Sequence, residues 1–467
     1  MTELARLTIA ELGQLLRERK VSPVEIVEAV IARTDACEGR INAYISRRDE
    51  QARAEARSAE REIMNGLYRG PLHGIPLALK DNIYIAGETT TMGAKIHQDF
   101  VPTQSATVYR KLAQAGAVLT GKLNLHEYAW GATTNNPHFG ACHNPWDLTR
   151  IPGGSSGGSG AAVAADMTIG SLGTDTGGSI RIPSSFCGVV GLKPTHGLVS
   201  KANVFPLGWS LDHVGPIVKS VHDAALMMNC IAGHDPTDPT SARSKPQDYA
   251  AGLMTQLKGV RIGVNERYFF NNVDRPVEQA VRAAVRRLQE LGATVQEVEI
   301  PALQFSEYAE LITIVAEANA IHHDNLVRRP QDFGDDVRFL VELGELLSSG
   351  DYLRAQQIRR QLDADFAAAF REVDVLVSPT IPFLPPAIGA DTVSINGSEL
   401  PFLDHVIRFT GPGNLTGLPA LSLPCGLASG LPVGLQIMGP AFGESQVLGV
   451  AHALEQTQPM DGKKPAL

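Results

Sequence analysis

The chain has 467 residues, of which 41 are Lys or Arg and 50 are Asp or Glu, so its formal net charge is −9. This acidic balance excludes a simple electrostatic grip on nucleic acid or on an anionic membrane. Hydrophobic residues at 43% and charged residues at 19% are ordinary for a globular chain, whereas the 45 glycines exceed the usual share of about 7%.

Two helix starts open the chain. Thr8 precedes Glu11 by three residues, and Ser22 precedes Glu25 by the same interval. Each pair has the spacing of a capping box, in which the two residues satisfy each other's free backbone N–H groups. We therefore expect residues 1–65 to form N-terminal helices whose apolar faces pack on a body formed later in the chain.

Helical and strand-like segments alternate farther along. A helix over 106–115 stops at Gly116 before the strand-like AVLT, and a strand, helix and strand follow between VRIGV and ATVQEVEI. VDVLVSP and VGLQIM are further predicted strands. This alternation predicts an α/β fold, a single large α/β/α domain over residues 1–467 whose mixed, largely parallel sheet is covered by helices on both faces. The proline-rich region 375–440 is predicted to be rich in loops and to wall a pocket.

The sequence favours a cytoplasmic protein. The first residues lack the apolar run of a signal peptide, and no apolar stretch approaches the ~18 residues that a membrane span needs. The five cysteines are scattered with no C-x-x-C spacing, so we expect no metal site.

Glycine and serine are concentrated between Gly153 and Ser179, where nine glycines and five serines occur in 27 residues. Glycine allows the backbone to approach a ligand closely, so this segment predicts N–H groups turned toward an anion or a developing oxyanion. The alternative, that these glycines only allow close packing, stays open.

Three familiar templates do not fit. The G-x4-G-K spacing that starts at Gly116 continues with Leu123 where a phosphate loop needs Ser or Thr. The G-x-S-x-G match that starts at Gly154 follows no apolar strand. The His-Glu pair at 126–127 lacks the second histidine of a zinc protease.

Two serines and a lysine remain as candidates for catalysis. Ser155 and Ser179 stand 24 residues apart, and no histidine lies near them in sequence to act as a base. Lys80 occurs in the otherwise apolar run LALKDNIYI, where burial would lower its pKa and enable it to accept a proton. A lysine at a strand end whose ammonium group reaches solvent is the alternative.

These residues and the long segments around them resemble the amidase signature family, the Ser-Ser-Lys hydrolases. The resemblance implies the fold of that family, a catalytic core over residues 70–215 and no cofactor. The segments that carry it are PLALKDNI, AGAVLTGKLNLHEYAWG, HNPWDLTRIPGGSSGGSGAAVAA, GTDTGGSIRIPSSFCGVVGLKPTHG and SLDHVGP, with GLPALSLPCG and LPVGLQIMG farther on.

The resemblance implies a role for each catalytic candidate. Lys80 corresponds to the family's base, Ser155 to the bridging serine that follows a cis peptide bond, and Ser179 to the nucleophile that forms an acyl-enzyme. Around them we expect a backbone oxyanion hole and three supporting residues, for which ordinary turn or surface positions are the alternative. The oxyanion hole is predicted from Thr176, Gly177, Gly178 and Ser179, with the two glycines leaving room for the incoming carbonyl, and the supporting residues are Ser156, Asp175 and Arg181.

Two members of the family are compared with the chain, a stand-alone amidase and the glutaminase subunit of tRNA-dependent amidotransferases. The glutaminase subunit is expected to hold glutamine through an Arg in a segment similar to DVRFLVELG and an Asp three residues before Thr410. Here those places hold residues 338–340, which read Arg-Phe-Leu, and Ile407. Arg338 and Asp404 stay open as shifted partners.

We therefore predict a stand-alone amidase for uncharged hydrophobic or aryl amides, with anilides, hydrazides, carbamates and esters left open; the glutaminase subunit is the alternative. An aryl acylamidase and a urethanase both fit this prediction. Its partner is a small-molecule amide or carbamate, with no nucleic acid and no membrane, and a homodimer is left open. The predicted pocket residues are Tyr128, Trp130, Phe383, Ile407 and Phe409.

Overall fold

The computed structural model describes residues 3–457, 460 and 462–467, so the predicted ranges 1–65 and 1–467 include a few residues outside this description. Both predicted capping boxes are present. The Ser22 hydroxyl accepts the Glu25 N–H at 3.2 Å, and the Glu25 carboxylate accepts the Ser22 N–H at 2.8 Å. Thr8 and Glu11 form the same pair of hydrogen bonds.

The helices lie close to their predicted bounds wherever a helix was expected. They are α1 Ile9–Arg17, α2 Pro23–Ile41, α3 Asp49–Met64, α4 Thr107–Gln114, α5 Gly157–Ala164, α6 Arg181–Cys187, α7 Val221–Ile231, α8 Glu266–Phe269, α9 Arg275–Glu290, α10 Ser306–Arg328, α11 Asp335–Leu343, α12 Ser349–Glu372, α13 Phe402–Val406, α14 Gly411–Leu415 and α15 Glu444–Glu455.

The predicted strands are present, although some are shorter than expected, as β10 is. The strands are β1 Tyr44–Arg47, β2 Pro76–Lys80, β3 Val118–Leu123, β4 Asn135–Asn136, β5 Gly140–Ala141, β6 Gly170–Asp175, β7 Val190–Lys193, β8 His213–Val218, β9 Arg261–Val264, β10 Thr294–Glu297, β11 Val375–Pro379, β12 Thr392–Ile395, β13 Ser398–Pro401, β14 Ala420–Ala428 and β15 Leu431–Met438.

Within the described residues, one eleven-stranded sheet runs in the order β1-β3-β2-β6-β8-β7-β14-β15-β11-β9-β10. Its strands are parallel from β3 through β2 to β6 and again among β11, β9 and β10, and they are antiparallel between these groups. Every residue of β2, β3, β6 and β8 is buried, so elements cover both faces of this part of the sheet. The predicted α/β architecture with a mixed sheet is confirmed.

The region 375–440 has more regular structure than its prolines suggest. It contains β11, the β12–β13 hairpin and the long antiparallel pair β14 and β15. The prolines are tolerated where they fall at strand ends or between elements, since a missing N–H costs little there. No helix in the described ranges combines the length and the apolar character that crossing a membrane requires.

The sheet brings the predicted catalytic residues together. β2 and β6 are parallel neighbours, so their carboxyl ends meet at one edge. Lys80 ends β2, and the nucleophile loop follows Asp175 at the end of β6. Loops at the carboxyl ends of adjacent parallel strands are a common place for ligand sites in α/β folds.

The capping boxes generate a prediction about stability. Replacing Ser22 with Ala leaves the first N–H groups of α2 without their side-chain partner, which should lower the free energy of unfolding by about 1 kcal/mol. Urea denaturation followed by circular dichroism measures this. Ser58→Ala, in the middle of α3, is the control, and a loss as large as that of Ser22→Ala would contradict the capping explanation.

Candidate active site

Lys80 is the last residue of β2, and its side chain is completely buried. Its Nζ lies 2.7 Å from Ser155 Oγ and 2.8 Å from Thr174 Oγ1, so both of these partners are hydroxyl groups. Burial lowers the pKa of Lys80 to about 7, although the charges of Asp212 and Asp175 oppose this shift. Near neutral pH the amine can therefore accept a proton.

The two serines lie on adjoining loops. A cis peptide bond joins Gly154 to Ser155, as the family resemblance implies. Ser155 is completely buried, whereas Ser179 is 8% exposed and lines a cavity. The Ser156 N–H donates to the Ser179 carbonyl at 3.3 Å, and the Ser156 hydroxyl donates to the Thr174 carbonyl at 3.1 Å. Ser156 thus connects the two serine loops to the end of β6.

Thr174 is a site residue that sequence analysis does not single out. Its Oγ1 accepts hydrogen bonds from Lys80 Nζ and, at 3.2 Å, from Asn82 Nδ2. Pairing of β2 with β6 brings these three residues together, because Asn82 follows β2 and Thr174 is next to last in β6. The sequence does contain a sign of their role, because Asn82 lies in the long motif PLALKDNI and Thr174 lies in GTDTGGS.

Asp81, the sequence neighbour of Lys80, does not pair with it. Its carboxylate accepts hydrogen bonds from Lys122 Nζ at 2.8 Å and from the Thr91 hydroxyl at 2.6 Å. Lys122 and Asp81 are both buried, so the carboxylate next to Lys80 in sequence is already paired with this second lysine. Lys80 is therefore left with hydroxyl partners, an arrangement in which its neutral form is favoured.

A buried ion pair joins the two ends of the nucleophile loop. Arg181 Nε and one of its terminal nitrogens each lie 3.0 Å from an Asp175 carboxylate oxygen. Burial would raise the pKa of Asp175, but the Arg181 charge and hydrogen bonds outweigh it and lower the pKa to about 2. The same carboxylate accepts the N–H groups of Gly178 at 2.8 Å and Ile180 at 3.2 Å. The backbone on both sides of Ser179 is therefore fixed.

The other donors of Arg181 reach distant segments. They bond to the Thr410 carbonyl at 2.9 Å, the Gln436 side chain at 2.7 Å and the Asn414 side chain at 2.6 Å. Asn414 in turn donates to Asp175 at 2.9 Å. All five N–H donors of the guanidinium are thus paired.

The backbone of the predicted oxyanion hole is only partly free. The Gly178 N–H is already bound within the loop, so it is not available to an oxyanion. In the described chain, the N–H groups of Thr176, Gly177 and Ser179 have no protein partner. A Cβ at Gly178, whose φ is +137°, would lie 2.7 Å from Ile182 Cδ1. Packing and the positive φ therefore already require glycine at position 178, and the role of leaving room for the incoming carbonyl stays a prediction.

A cavity of about 400 Å³ opens beside Ser179. Trp130 and Ile407 line it, as the sequence predicts, and so does Asp404. The rest of the wall comes from the nucleophile loop, from the segment around Trp130, from Leu207 in another loop and from helices that are distant in sequence. These further lining residues are Ala129, Gly131, Ala132, Thr176, Gly177, Ile182, Leu207, Glu307, Tyr308, Leu311, Ile314, Phe339, Leu340, Leu343, Leu403 and Val406.

Tyr128, Phe383 and Phe409 do not reach the cavity wall. Tyr128 has a φ of 52°, and its hydroxyl lies 2.8 Å from His97 Nδ1. This left-handed turn carries its ring away from the side on which Trp130 lies. Phe383 and Phe409 pack in other buried clusters, so an aromatic side chain near the motifs did not by itself indicate a pocket position.

Comparison with known proteins gives full-length matches. The family model described as Amidase matches residues 25–448. One relative, a glutamyl-tRNA(Gln) amidotransferase subunit of Moorella thermoacetica, is 42% identical over 100% of this chain and 99% of that protein.

Solved structures match over similar lengths. A vestigial protein complex, reported to reveal the evolutionary origins of an s-triazine catabolic enzyme, contains a chain with 36% identity and a TM-score of 0.93, covering 97% of this chain and 98% of its own. The corresponding glutamyl-tRNA(Gln) amidotransferase subunit of Thermotoga maritima has 34% identity and a TM-score of 0.82, covering 97% and 95%.

These relatives contradict the prediction of a stand-alone amidase for hydrophobic or aryl substrates and favour the alternative, the glutaminase subunit. The prediction is wrong because it rested on a few side chains, among them Tyr128, whereas the similarity to the amidotransferase subunits extends over the whole chain. The prediction of no nucleic acid is also wrong, since the relatives are named as subunits of a glutamyl-tRNA(Gln) amidotransferase. A net charge of −9 describes one chain alone and does not describe the surface of a multi-subunit assembly such as the one for which the relatives are named.

The ion pair at the nucleophile loop generates a second prediction. Arg181→Leu leaves the Asp175 carboxylate buried without its partner, which should lower the free energy of unfolding by about 3 to 5 kcal/mol. Arg282→Leu is the control, since its pair with Glu266 is solvated and should contribute less than about 1 kcal/mol. Urea denaturation of both variants measures the difference, and equal losses would contradict the importance given to the buried pair.

Proposed function

The chain belongs to the amidase family, and from that premise we propose that it hydrolyses the carboxamide of glutamine as the amide-hydrolysing subunit of a tRNA-dependent amidotransferase assembly. Enzymes of this family are hydrolases that act on carbon–nitrogen bonds. The observation that carries the proposed chemistry is the contact between the buried Lys80 amine and the Ser155 hydroxyl at 2.7 Å, beside the cavity that Ser179 lines. The full-length relatives support the assembly and the amide donor.

Acylation begins with attack of Ser179 Oγ on the amide carbonyl carbon. Ser155 passes the Ser179 proton to the neutral Lys80 amine while an electron pair of Ser179 Oγ forms the new C–O bond and the π pair of the carbonyl moves to its oxygen. The carbonyl oxygen, now negative, accepts hydrogen bonds from the free N–H groups of Gly177 and Ser179. Lys80 then returns the proton through Ser155 to the nitrogen, the C–N bond breaks, and ammonia leaves.

Deacylation uses the same groups in the same order. A water molecule attacks the acyl-enzyme while Ser155 and Lys80 take its proton, and the proton goes back to Ser179 Oγ as the acid product leaves. Asp175 and Arg181 keep the nucleophile loop in place throughout, because both of their charges are fully paired in the resting site.

The two residues left open as shifted substrate partners are placed differently. Asp404 lines the cavity, whereas Arg338 forms surface ion pairs with Asp335 at 3.3 Å and Glu342 at 3.6 Å. Of the two, only Asp404 can contact a ligand in this cavity without a rearrangement.

The basicity of Lys80 predicts a pH dependence. Because burial lowers its pKa to about 7, the fraction of neutral amine rises as pH increases through that value. We expect kcat/KM for amide hydrolysis to rise about tenfold per pH unit below pH 7 and to level off above it. Ammonia release between pH 5.5 and 9 measures the profile, with circular dichroism at each pH as a control for folding. A profile that stays flat from pH 5.5 to 8 would exclude Lys80 as the base.

The assembly itself is tested with glutamine. The purified chain, alone and with the other amidotransferase subunits of its source organism, is assayed for ammonia release from glutamine and for amide transfer to glutamyl-tRNA. We expect ammonia release that increases with the partner subunits and is lost in Ser179→Ala. Glutamine left intact in the complete assembly would overturn the proposed substrate, and full activity of Ser179→Ala would overturn the nucleophile.

A further inference from the structure

Glu310 has a buried carboxyl group that the mechanism above does not use. It lies in α10 and is 1% exposed. Neither of its carboxyl oxygens has a hydrogen-bond partner among the described residues. Buried polar groups are nearly always paired, because leaving one unsatisfied is costly, so a carboxyl with two free oxygens indicates a partner that arrives with a ligand.

The Glu310 carboxyl lies next to the cavity beside Ser179, behind Gly177 and Ile407. Residues three or four apart on a helix share a face, and Glu307 and Ile314, which stand at those intervals from Glu310, both line the cavity. The Glu310 Oε1 atom lies 3.1 Å from the position that a Cβ on Gly177 would occupy, and Ile407 Cγ2 lies 3.5 Å from the same point. Gly177 and Ile407 are cavity residues themselves, so the carboxyl stands directly behind the wall beside the nucleophile loop.

The cations near Glu310 are bound elsewhere. Arg181 has all five of its N–H donors paired with other groups. Arg359 donates to the Leu415 carbonyl and to Ser210. No arginine hydrogen bond is therefore directed at the Glu310 carboxyl in the described chain.

We propose that Glu310 is a specificity-determining residue whose carboxyl binds an ammonium group carried on the acyl side of the amide substrate. This inference rests on the proposed function, since glutamine carries such a group on its α-carbon. Two carboxylates line the cavity itself, but Asp404 is exposed and Glu307 is half exposed beside Arg408 at 3.4 Å. Solvated carboxylates contribute little to binding, whereas a buried one paired with an ammonium discriminates strongly.

Binding is expected to change the protonation of Glu310. The charged groups that face it are Arg359, Arg181, Lys193, Asp175 and Glu317, and burial raises the pKa of Glu310 well above its ordinary value. This shift favours the uncharged acid as long as no cation is bound beside it. When a substrate ammonium pairs with it, the acid gives its proton to the buffer, and the carboxylate and the ammonium remain as the bound pair.

The kinetic test uses two amides that differ only at one end. 4-Aminobutyramide carries an ammonium at the same distance from its amide as glutamine does, and pentanamide has a methyl group in its place. We expect Glu310→Gln to lower kcat/KM for 4-aminobutyramide at least about tenfold and to change kcat/KM for pentanamide less than about threefold. Asp223→Asn, which alters another buried carboxyl with one unpartnered oxygen on α7, is the matched control and should leave both values unchanged.

A binding measurement decides the question if the turnover of either amide is too slow to measure. Titration calorimetry of Ser179→Ala with 4-aminobutyramide, in two buffers of different ionisation enthalpy, should reveal release of about one proton per bound ligand. The release should be absent for pentanamide and absent in the double variant with Glu310→Gln. No proton release from 4-aminobutyramide would overturn the inference.

The remaining outcomes separate this inference from the proposed function. Equal loss of kcat/KM for both amides would make Glu310 a purely structural residue and would overturn the inference even if glutamine is a substrate. Conversely, the assembly could leave glutamine intact while Glu310 still determines the preference for 4-aminobutyramide over pentanamide. That result would overturn the proposed substrate and keep the inference.

Discussion

The buried pairing of Arg181 with Asp175 is the interaction on which the site depends. It closes the loop that begins after β6 and returns at α6, and Ser179 lies inside that loop. The remaining donors of Arg181 reach α14 and β15, so one guanidinium connects the nucleophile to segments more than 200 residues away. A buried charge of this kind keeps its place only when every donor is satisfied, which makes the surrounding segments fold as one unit with the loop.

Local sequence chemistry predicted the parts of the fold that local contacts decide. The capping boxes at Thr8 and Ser22 form between residues three apart, so the sequence alone identified them. Lys80 was identifiable for a related reason, because a lysine within an apolar run is rarely buried without partners, although a lysine that reaches solvent was the alternative. The cis bond before Ser155 came from the family resemblance, since nothing in Gly-Ser itself predicts it.

The cavity wall could not be predicted in the same way, because it is made by long-range packing. Most of its residues come from the nucleophile loop, from the segment 129–132 and from α10, α11 and α13, which are far apart along the chain. Tyr128 and Trp130 are two residues apart, yet a left-handed turn at Tyr128 and Ala129 sends one ring into the core and leaves the other at the cavity. The sequence also could not predict that the Glu310 carboxyl lacks a hydrogen-bond partner, because this depends on Arg181 and Arg359 being bound to other groups.

Thr174 gives the proton relay a direction. Its Oγ1 receives two donors, Lys80 and Asn82, and an oxygen of this kind has two lone pairs. Both are thus filled, and one N–H of the neutral Lys80 amine is held on Thr174. Ser155 Oγ lies 2.7 Å from the same nitrogen, and when the Ser155 hydroxyl donates to the lone pair of the neutral amine, the first proton moves from serine to lysine. Thr174 takes no part in the bond changes, but its hydrogen bond holds the Lys80 amine in the orientation that the proton transfer needs.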